Sequence, residues 1–294
     1  DGDSLLIQHC VLADAGTILN IDRSDNVWIQ NNALTNGVGI DASQVRDLRI
    51  FTNGFSNNST ALFLSNITGI NLSAGLSVSG NTFNGGSTGI RLSSCLPLSI
   101  SDGSLPNSEI VLGVNDLTSF TSTAVSINNT DSLSISGLNL GNLVGGNRSG
   151  TGFVAFSSDY IRMDALEIQN RSTGISFSTS SFDTISCTQL VNNSTGLTIG
   201  SSSNNNRIFD SQIQGNVTGI NRATSQTFSD TLHAEGNFWG ATSGPSNLGG
   251  SGDNYFGAVD ASPFLGSIPG CVGADTCSLQ LTSQSEASVT TRDF

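Results

Sequence analysis

Acidic side chains recur in this sequence at a nearly constant offset, in short polar turns that follow runs of alternating apolar residues. Paired carboxylates at a defined separation carry acid and base catalysis in glycoside hydrolysis, and clustered carboxylates hold Ca²⁺ beside a proton acceptor. Asp131 and Asp159 share one offset, and Arg162 follows on the next strand pattern, so these three are the candidate catalytic residues. The whole acidic set comprises Asp25, Asp47, Asp131, Asp159 and Asp183.

The same repetition supports a structural alternative. A turn that carries Asp or Asn in nearly every repeat is typical of side chains that hydrogen-bond their own backbone. The chain has no lysine, its arginines are scattered singly, and His9 and His233 lie near opposite ends. We therefore expect no metal site and no cofactor, and we expect the acidic turns to be structural.

The elements that must position these side chains come from an internal repeat. A small residue followed by an alternating apolar run recurs along the chain, and five of the eight intervals between these runs fall within one residue of 22. Each repeat carries two or three such runs, separated by turns rich in Ser, Asn, Asp and Gly. The runs begin at Gly16, Gly39, Ala61, Gly89, Ala124, Gly152, Gly174, Gly196 and Gly219.

Strands this short bury little surface alone, but stacked repeats bury a continuous core. The repeat therefore predicts an all-β fold, a right-handed parallel β-helix of about ten coils, with handedness taken from the crossover preference of parallel strands. A leucine-rich horseshoe is the alternative, and the sequence lacks its fixed leucine register. Three consecutive repeats are longer than the rest, which predicts loops at about residues 69–85, 97–120 and 137–150.

Composition limits the partners. The formal net charge is −13, and only 11% of the residues are charged. Phosphate backbones and anionic headgroups are bound chiefly by Lys and Arg, so we expect no binding to nucleic acid. The apolar runs are far shorter than the roughly 20 residues needed to cross a bilayer, so we also expect no membrane insertion.

Residues 237–265 resemble the terminal motif of bacterial secreted and surface right-handed parallel β-helix proteins. The motif consists of Asn-aromatic-Trp-Gly, then Gly-Pro, and finally Asp-x-Ser-Pro-aromatic-Leu. The resemblance implies a cap in which Trp239 and Phe264 cover the end of the core. It implies no single activity, because such proteins include lyases, hydrolases, adhesins and surface proteins. The matching positions are Asn237, Phe238, Trp239, Gly240, Gly244, Pro245, Val259, Asp260, Ser262, Pro263, Phe264 and Leu265.

These patterns divide the chain into coils over residues 1–236, a capping segment over 237–265 and a tail over 266–294. Cys271 and Cys277 lie six residues apart in a Gly-containing segment, which predicts a disulfide that closes a turn. Cys10, Cys95 and Cys187 stand amid apolar alternation and are expected to be small buried side chains. The predicted disulfide and the buried cysteines are both compatible with an exported protein, so we expect an extracellular or cell-surface location.

Two functions from different classes remain open. The first is a non-catalytic structural or adhesive rod, part of a larger surface protein or a fibre subunit. Its partners are other protein subunits or cell-surface components, and it assembles through its uncapped N-terminal coil and its C-terminal tail. The second is a polysaccharide lyase or glycoside hydrolase with its site on the middle coils.

Overall fold

A computed structural model describes residues 4–68, 76–95, 110–112, 115, 117, 120–141, 148–223 and 230–273. Short strands dominate this part of the chain, and it contains no α-helix and therefore no helix able to span a membrane. A single turn of 3₁₀ helix covers Ser246–Leu248.

The strands follow one another in short steps along the chain. In order they are β1 (Ser4–Gln8), β2 (Val11–Ala13), β3 (Thr17–Asp22), β4 (Asp25–Gln30), β5 (Ala33–Thr35), β6 (Val38–Ser43), β7 (Arg46–Phe51), β8 (Gly54–Ser65), β9 (Leu76–Ser79), β10 (Thr82–Ser93), β11 (Ile110–Leu112), β12 (Phe120–Asn128), β13 (Leu133–Ser136), β14 (Thr151–Phe156), β15 (Arg162–Asp164), β16 (Glu167–Gln169), β17 (Thr173–Ser178), β18 (Thr184–Ser186), β19 (Gln189–Val191), β20 (Thr195–Ile199), β21 (Arg207–Phe209), β22 (Gln212–Gln214), β23 (Thr218–Arg222), β24 (Leu232–His233), β25 (Tyr255–Phe256) and β26 (Val259–Asp260).

These strands stack in parallel, each against its counterpart from the next repeat. The first sheet has 11 strands in the order β1-β4-β7-β9-β11-β13-β15-β18-β21-β24-β26. A second sheet of 12 strands runs beside it, from the β2 and β3 strands of the first coil to β25, and a third joins β16, β19 and β22. The parallel β-helix expected from the repeat is confirmed.

Apolar side chains stack in columns inside the coils. Phe55 and Phe83 lie face to face, with ring centroids 4.8 Å apart, and Phe153 meets Phe177 edge to face at 6.2 Å. The glycine that opens many repeats has a packing reason. A Cβ atom on Gly174 would lie 2.4 Å from the carbonyl oxygen of Gly196, so the backbones approach too closely for any side chain.

Buried asparagines form a ladder at one corner of the early coils, where the chain leaves the first sheet for the next strand. The Oδ1 atom of Asn53 accepts hydrogen bonds at 3.0 Å from the amide and the Nδ2 of Asn32. Asn53 in turn donates its amide and its Nδ2 to Asn81, and Asn81 donates likewise to Asn115. The ladder satisfies backbone groups that water cannot reach at this corner.

Hydroxyl side chains form a second ladder at the corner before the first sheet. The Oγ atom of Ser158 accepts from the Thr130 amide at 3.0 Å, and Ser180 accepts from the Ser158 amide at 3.3 Å. Ser203 continues the series by accepting from the Ser180 amide. The abundant Ser and Asn of the sequence therefore include stacked internal groups as well as exposed turns.

A buried arginine braces the wide middle coils. Arg171 is fully buried, and its guanidinium donates to the carbonyl oxygens of Leu140, Phe120 and Gly141. Burial lowers its pKa to about 10. Of the loops predicted around these coils, residues 69–75, 97–109 and 142–147 lie outside the described residues. The prediction is wrong for residues 76–79, 82–85 and 110–112, which lie in β9, β10 and β11 because their apolar residues pair with the neighbouring coils.

The segment after the last full coil packs on the end of the core. Trp239 is completely buried and lies 5.8 Å from Tyr255 between ring centroids, while Phe264 is half-buried against the same core. Asn237 is buried, and its Oδ1 accepts from the Ser211 amide. The motif therefore continues the side-chain hydrogen bonds at the corner that follows the first sheet. Gly244 and Pro245 are also buried, Gly240 has a φ of 85°, and the bond between Ser262 and Pro263 is cis. Asp260 ends β26 and is exposed.

The predicted disulfide between Cys271 and Cys277 is wrong. Cys271 is bonded to Cys187, 84 residues earlier, with their Cα atoms 5.4 Å apart. The reason is long-range geometry: the chain leaves the cap and returns over the last coils, where the Cys271 sulfur lies 3.5 Å from the Asp210 carbonyl oxygen. Cys277 lies outside the described residues.

The other cysteines differ in burial. Cys95 is fully buried, as expected, and burial raises its pKa to about 11. Cys10 is half-buried, and so is Cys187, which is not the small core residue that the apolar alternation suggests. The bond between Cys187 and Cys271 is compatible with a non-cytoplasmic protein.

Candidate binding groove

The structure brings Asp131 and Asp159 together on neighbouring coils, where both serve the backbone. Asp131 Oδ1 accepts from the Asp159 amide at 2.7 Å, and Asp159 Oδ1 accepts from the Ser181 amide at 2.7 Å. Both side chains are half-buried at this corner. Both carboxylates accept from the amide of the neighbouring coil, whereas the repetition predicted bonds to the backbone of their own turn.

Asp183 continues this acidic corner in a deeper position. Its Oδ1 accepts from the Ile161 amide at 2.9 Å, and its own amide donates to Asn206 Oδ1. Its Oδ2 is buried and has no hydrogen-bond partner. Burial, together with the nearby charges of Asp159 and Asp131, raises the pKa of Asp183 to about 8, so this acid is largely neutral at neutral pH.

The acidic turns of the first coils are paired with arginines. Asp25 binds Arg46 through both carboxylate oxygens, and this bond raises the pKa of the guanidinium. Asp47 lies 3.4 Å from Arg49 and is nearly buried. The five acids therefore have similar offsets in the sequence but different partners, and they do not form one carboxylate cluster.

Arg162 lies apart from the acidic corner, in a groove on the outer face of the first sheet. It is exposed on β15, in register with Ser134, Thr184 and Arg207 on the neighbouring strands. The groove has a volume of about 560 Å³. Its lining consists of Ser134, Ile135, Ser136, Tyr160, Arg162, Met163, Asp164, Phe182, Thr184, Ser186 and Arg207.

An exposed aromatic pair forms one wall of this groove. Tyr160 and Phe182 stack with ring centroids 5.1 Å apart and an interplanar angle of 8°. They remain 56% and 47% exposed, so the stack buries little of either ring. Both residues have positive φ at the same corner of successive coils, and the corresponding position of the preceding coil is Ser132. Ser132 is too small to cover the free face of Tyr160.

Polar groups of three kinds occupy the floor of the groove. Arg162 and Arg207 have no carboxylate within ion-pair distance among the described residues, and Arg207 donates to Thr184 Oγ1 at 3.2 Å. Asp164 accepts from the Ser186 hydroxyl at 2.7 Å and supplies the acidic group of the floor. Cations, hydroxyls and one carboxylate thus lie beside two aromatic rings.

The long repeats and the acidic turns, which suggested candidate sites in the sequence, do not include the aromatic wall. The signal was present: Tyr160 and Phe182 lie 22 residues apart, which is the repeat itself. Two side chains one period apart in a solenoid stack on adjacent coils. A search for aromatic residues at this spacing would have found the pair.

The two histidines lie outside the groove. His9 is exposed in the first coil, and His233 is exposed on β24. The Glu235 carboxylate, 3.1 Å from the ring nitrogen of His233, raises the pKa of that histidine. Within the described ranges, no group of three His, Cys, Asp or Glu side chains is arranged to hold a metal ion.

Comparison with known proteins adds no family to this description. No protein-family model matches the chain, and searches of curated proteins and of solved structures also give no match.

Proposed function

We propose that this protein is a non-catalytic extracellular rod that serves a structural and adhesive role. The observation that carries this proposal is the use of the candidate catalytic acids as acceptors for backbone amides, Asp131 for Asp159 and Asp159 for Ser181. These bonds tie one coil to the next and make the carboxylates part of the scaffold. A rigid scaffold with an open groove favours binding over turnover.

The test uses the difference between alanine and asparagine at these two positions. Asparagine keeps the acceptor oxygen, so Asp131→Asn with Asp159→Asn retains the wild-type stability. Alanine removes both acceptors and lowers the free energy of unfolding by about 2 kcal/mol. A carboxylate that performs acid or base chemistry behaves differently, because asparagine then abolishes activity while leaving the fold intact.

Activity is measured in parallel as release of new reducing ends or unsaturated ends from polysaccharides, with Ca²⁺ present. The proposal expects no release by the wild-type protein. Cleavage that disappears in the asparagine variant, with an unchanged unfolding curve, would overturn it and support the alternative of a lyase or hydrolase on the middle coils.

Assembly through the first coil is part of the proposed role. Among the described residues, β1, β2 and β3 pair only on the side facing the second coil, and Val11 and Leu6 are 83% and 52% exposed. An open parallel edge of this kind pairs readily with another β-strand. We propose a second subunit as its partner, with residues 274–294 as the segment that docks there.

Light scattering and negative-stain imaging of the chain, with and without residues 274–294, test this assembly. Fibres or ordered oligomers that disappear on truncation support it. A monomer of about 30 kDa in both cases would overturn the assembly and leave adhesion by a single rod.

A further inference from the structure

We infer that the groove on the outer face of the first sheet, between the Tyr160–Phe182 stack and Asp164, binds a saccharide that carries carboxylate groups. This inference rests on the proposed binding role of the rod and names its ligand class. It concerns side chains of four consecutive coils, those that contribute β13, β15, β18 and β21.

The aromatic wall suits a ligand with a flat apolar face. Exposed aromatic side chains are costly to leave in water, and adjacent exposed rings with polar neighbours mark binding surfaces. The free face of Tyr160 looks toward the small Ser132, which leaves room for one ring of a ligand. The C–H face of a pyranose packs against an aromatic ring in this way.

The floor suits hydroxyl groups. Ser134, Ser136, Thr184 and Ser186 present hydroxyls that both donate and accept hydrogen bonds, and Asp164 accepts them. The strands below are central in their sheet, so their backbone groups are already paired and cannot add an extended peptide as a new strand. Both features favour a saccharide over a peptide.

The cations specify the charge of the ligand. Arg162 and Arg207 are exposed, lack a carboxylate partner among the described residues, and belong to one register column with Thr184 between them. Two strand spacings separate them, roughly 10 Å. A guanidinium binds a carboxylate through two parallel hydrogen bonds, so the pair fits a saccharide with acidic groups at intervals.

Three hexameric probes test this assignment in calorimetric titrations: a hyaluronan hexasaccharide, in which every second sugar is a uronate, the neutral cellohexaose, and hexaglutamate. We expect the hyaluronan hexasaccharide to bind with a Kd in the micromolar to low millimolar range, at least about tenfold more tightly than cellohexaose. Equal affinity for cellohexaose would overturn the acidic specificity. Equal or tighter binding of hexaglutamate would overturn the saccharide assignment, and no binding of any probe would overturn the site.

Matched variants then locate the binding. Arg162→Gln with Arg207→Gln is expected to weaken binding of the hyaluronan hexasaccharide by about tenfold or more. Arg91→Gln is the control, because Arg91 is an exposed strand arginine over the ring of Phe63, as Arg207 is over the ring of Phe209, but lies outside the groove. Unchanged affinity in the double variant, or an equal loss in the control, would overturn the role of the arginine pair.

The aromatic wall has its own pair of variants. Phe182→Ala is expected to weaken binding severalfold, whereas Phe156→Ala, which removes a similarly exposed phenylalanine from the second sheet, leaves it unchanged. Equal effects would contradict the wall. Cleavage of the probe by the wild-type protein would overturn the non-catalytic proposal and leave the groove in place, so the two failures are distinguishable.

Discussion

Asp183 binds the Ile161 amide through one carboxylate oxygen, at 2.9 Å, and buries the other without any partner. At the next coil, the same corner position is Asn206, whose Nδ2 donates to the carbonyl oxygen of Ser180. A proton on Oδ2 gives Asp183 the donor that Asn206 has in its Nδ2. Burial of the carboxyl group is the main cause that raises the pKa of Asp183.

The first prediction is that the free energy of unfolding falls as the pH rises from about 4 to about 8, in part because of Asp183. The pKa of Asp183 is about 8 in the folded protein and near 4 when unfolded. The folded state therefore binds more protons across this window, so stability decreases with pH there. Asp183→Asn removes this loss, with a gain of several kcal/mol at pH 8 and little change at pH 4.

Chemical denaturation at pH 4, 6 and 8 measures this dependence. Asp210→Asn, at an exposed corner of the following coil, is the control and should keep the wild-type slope. If the slope in Asp183→Asn also matches the wild type, Asp183 does not hold its proton in the fold.

The second prediction concerns the asparagine ladder. Asn53→Ala removes the acceptor of the buried Asn32 amide, one of the two acceptors of Asn32 Nδ2 and the side-chain donor to the Ile29 carbonyl. We expect a loss of about 3 kcal/mol or more in the free energy of unfolding, because several buried polar groups lose their bonds together. Asn53→Ser is expected to lose less, since Ser211 fills the corresponding place near the other end of the rod. Equal losses in the two variants would argue against the ladder.

The third prediction concerns Arg171 and its three carbonyl partners. Arg171→Lys keeps the charge but provides a compact ammonium in place of the fork that reaches Leu140, Phe120 and Gly141. We expect a loss of about 2–4 kcal/mol in the free energy of unfolding. Arg23→Lys, on an exposed turn, is the control and should change stability by less than about 0.5 kcal/mol. A tolerated Arg171→Lys would show that the three-carbonyl arrangement is not needed.

The fourth prediction concerns the pairing of cysteines. Peptide mapping under non-reducing conditions should recover the Cys187 peptide joined to the Cys271 peptide. Cys277→Ser leaves that bond in place, whereas Cys187→Ser removes it and lowers stability by up to about 4 kcal/mol, as loop closure over 84 residues implies. Recovery of a Cys271–Cys277 peptide from the wild-type protein would contradict the structure.

The sequence predicted the features that depend on local period and missed those that depend on where distant segments meet. Gly174 marks a repeat because backbones of adjacent coils touch there, so its spacing alone gave the stacking. The Cys187–Cys271 bond depends on the path of the chain after the cap, and no short spacing encodes that path. Arg171 was equally hidden, because its acceptors are carbonyl oxygens that any residue carries.

The acidic turns also combine a feature that the repeat predicts with one that it does not. Their shared offset correctly placed Asp131 next to Asp159, since a constant period fixes which residues are neighbours. The period does not give the depth of a side chain, so it could not separate buried Asp183 from Asp25 beside its arginine. Depth follows from the local shape of the corner, and that shape decides between a neutral acid and an ion pair.

The bond between Cys187 and Cys271 also determines how the rod responds to tension. A force applied to the chain beyond Cys271 enters the coils at Cys187, because a covalent bond carries it there directly. The capping segment and the strands from β19 to β26 lie inside the closed covalent loop and bear none of that load. A solenoid pulled from its end normally unwinds from the last coil. In this protein the strand that carries the load belongs to an interior coil, and it must separate from neighbouring strands on both sides before the coils unwind.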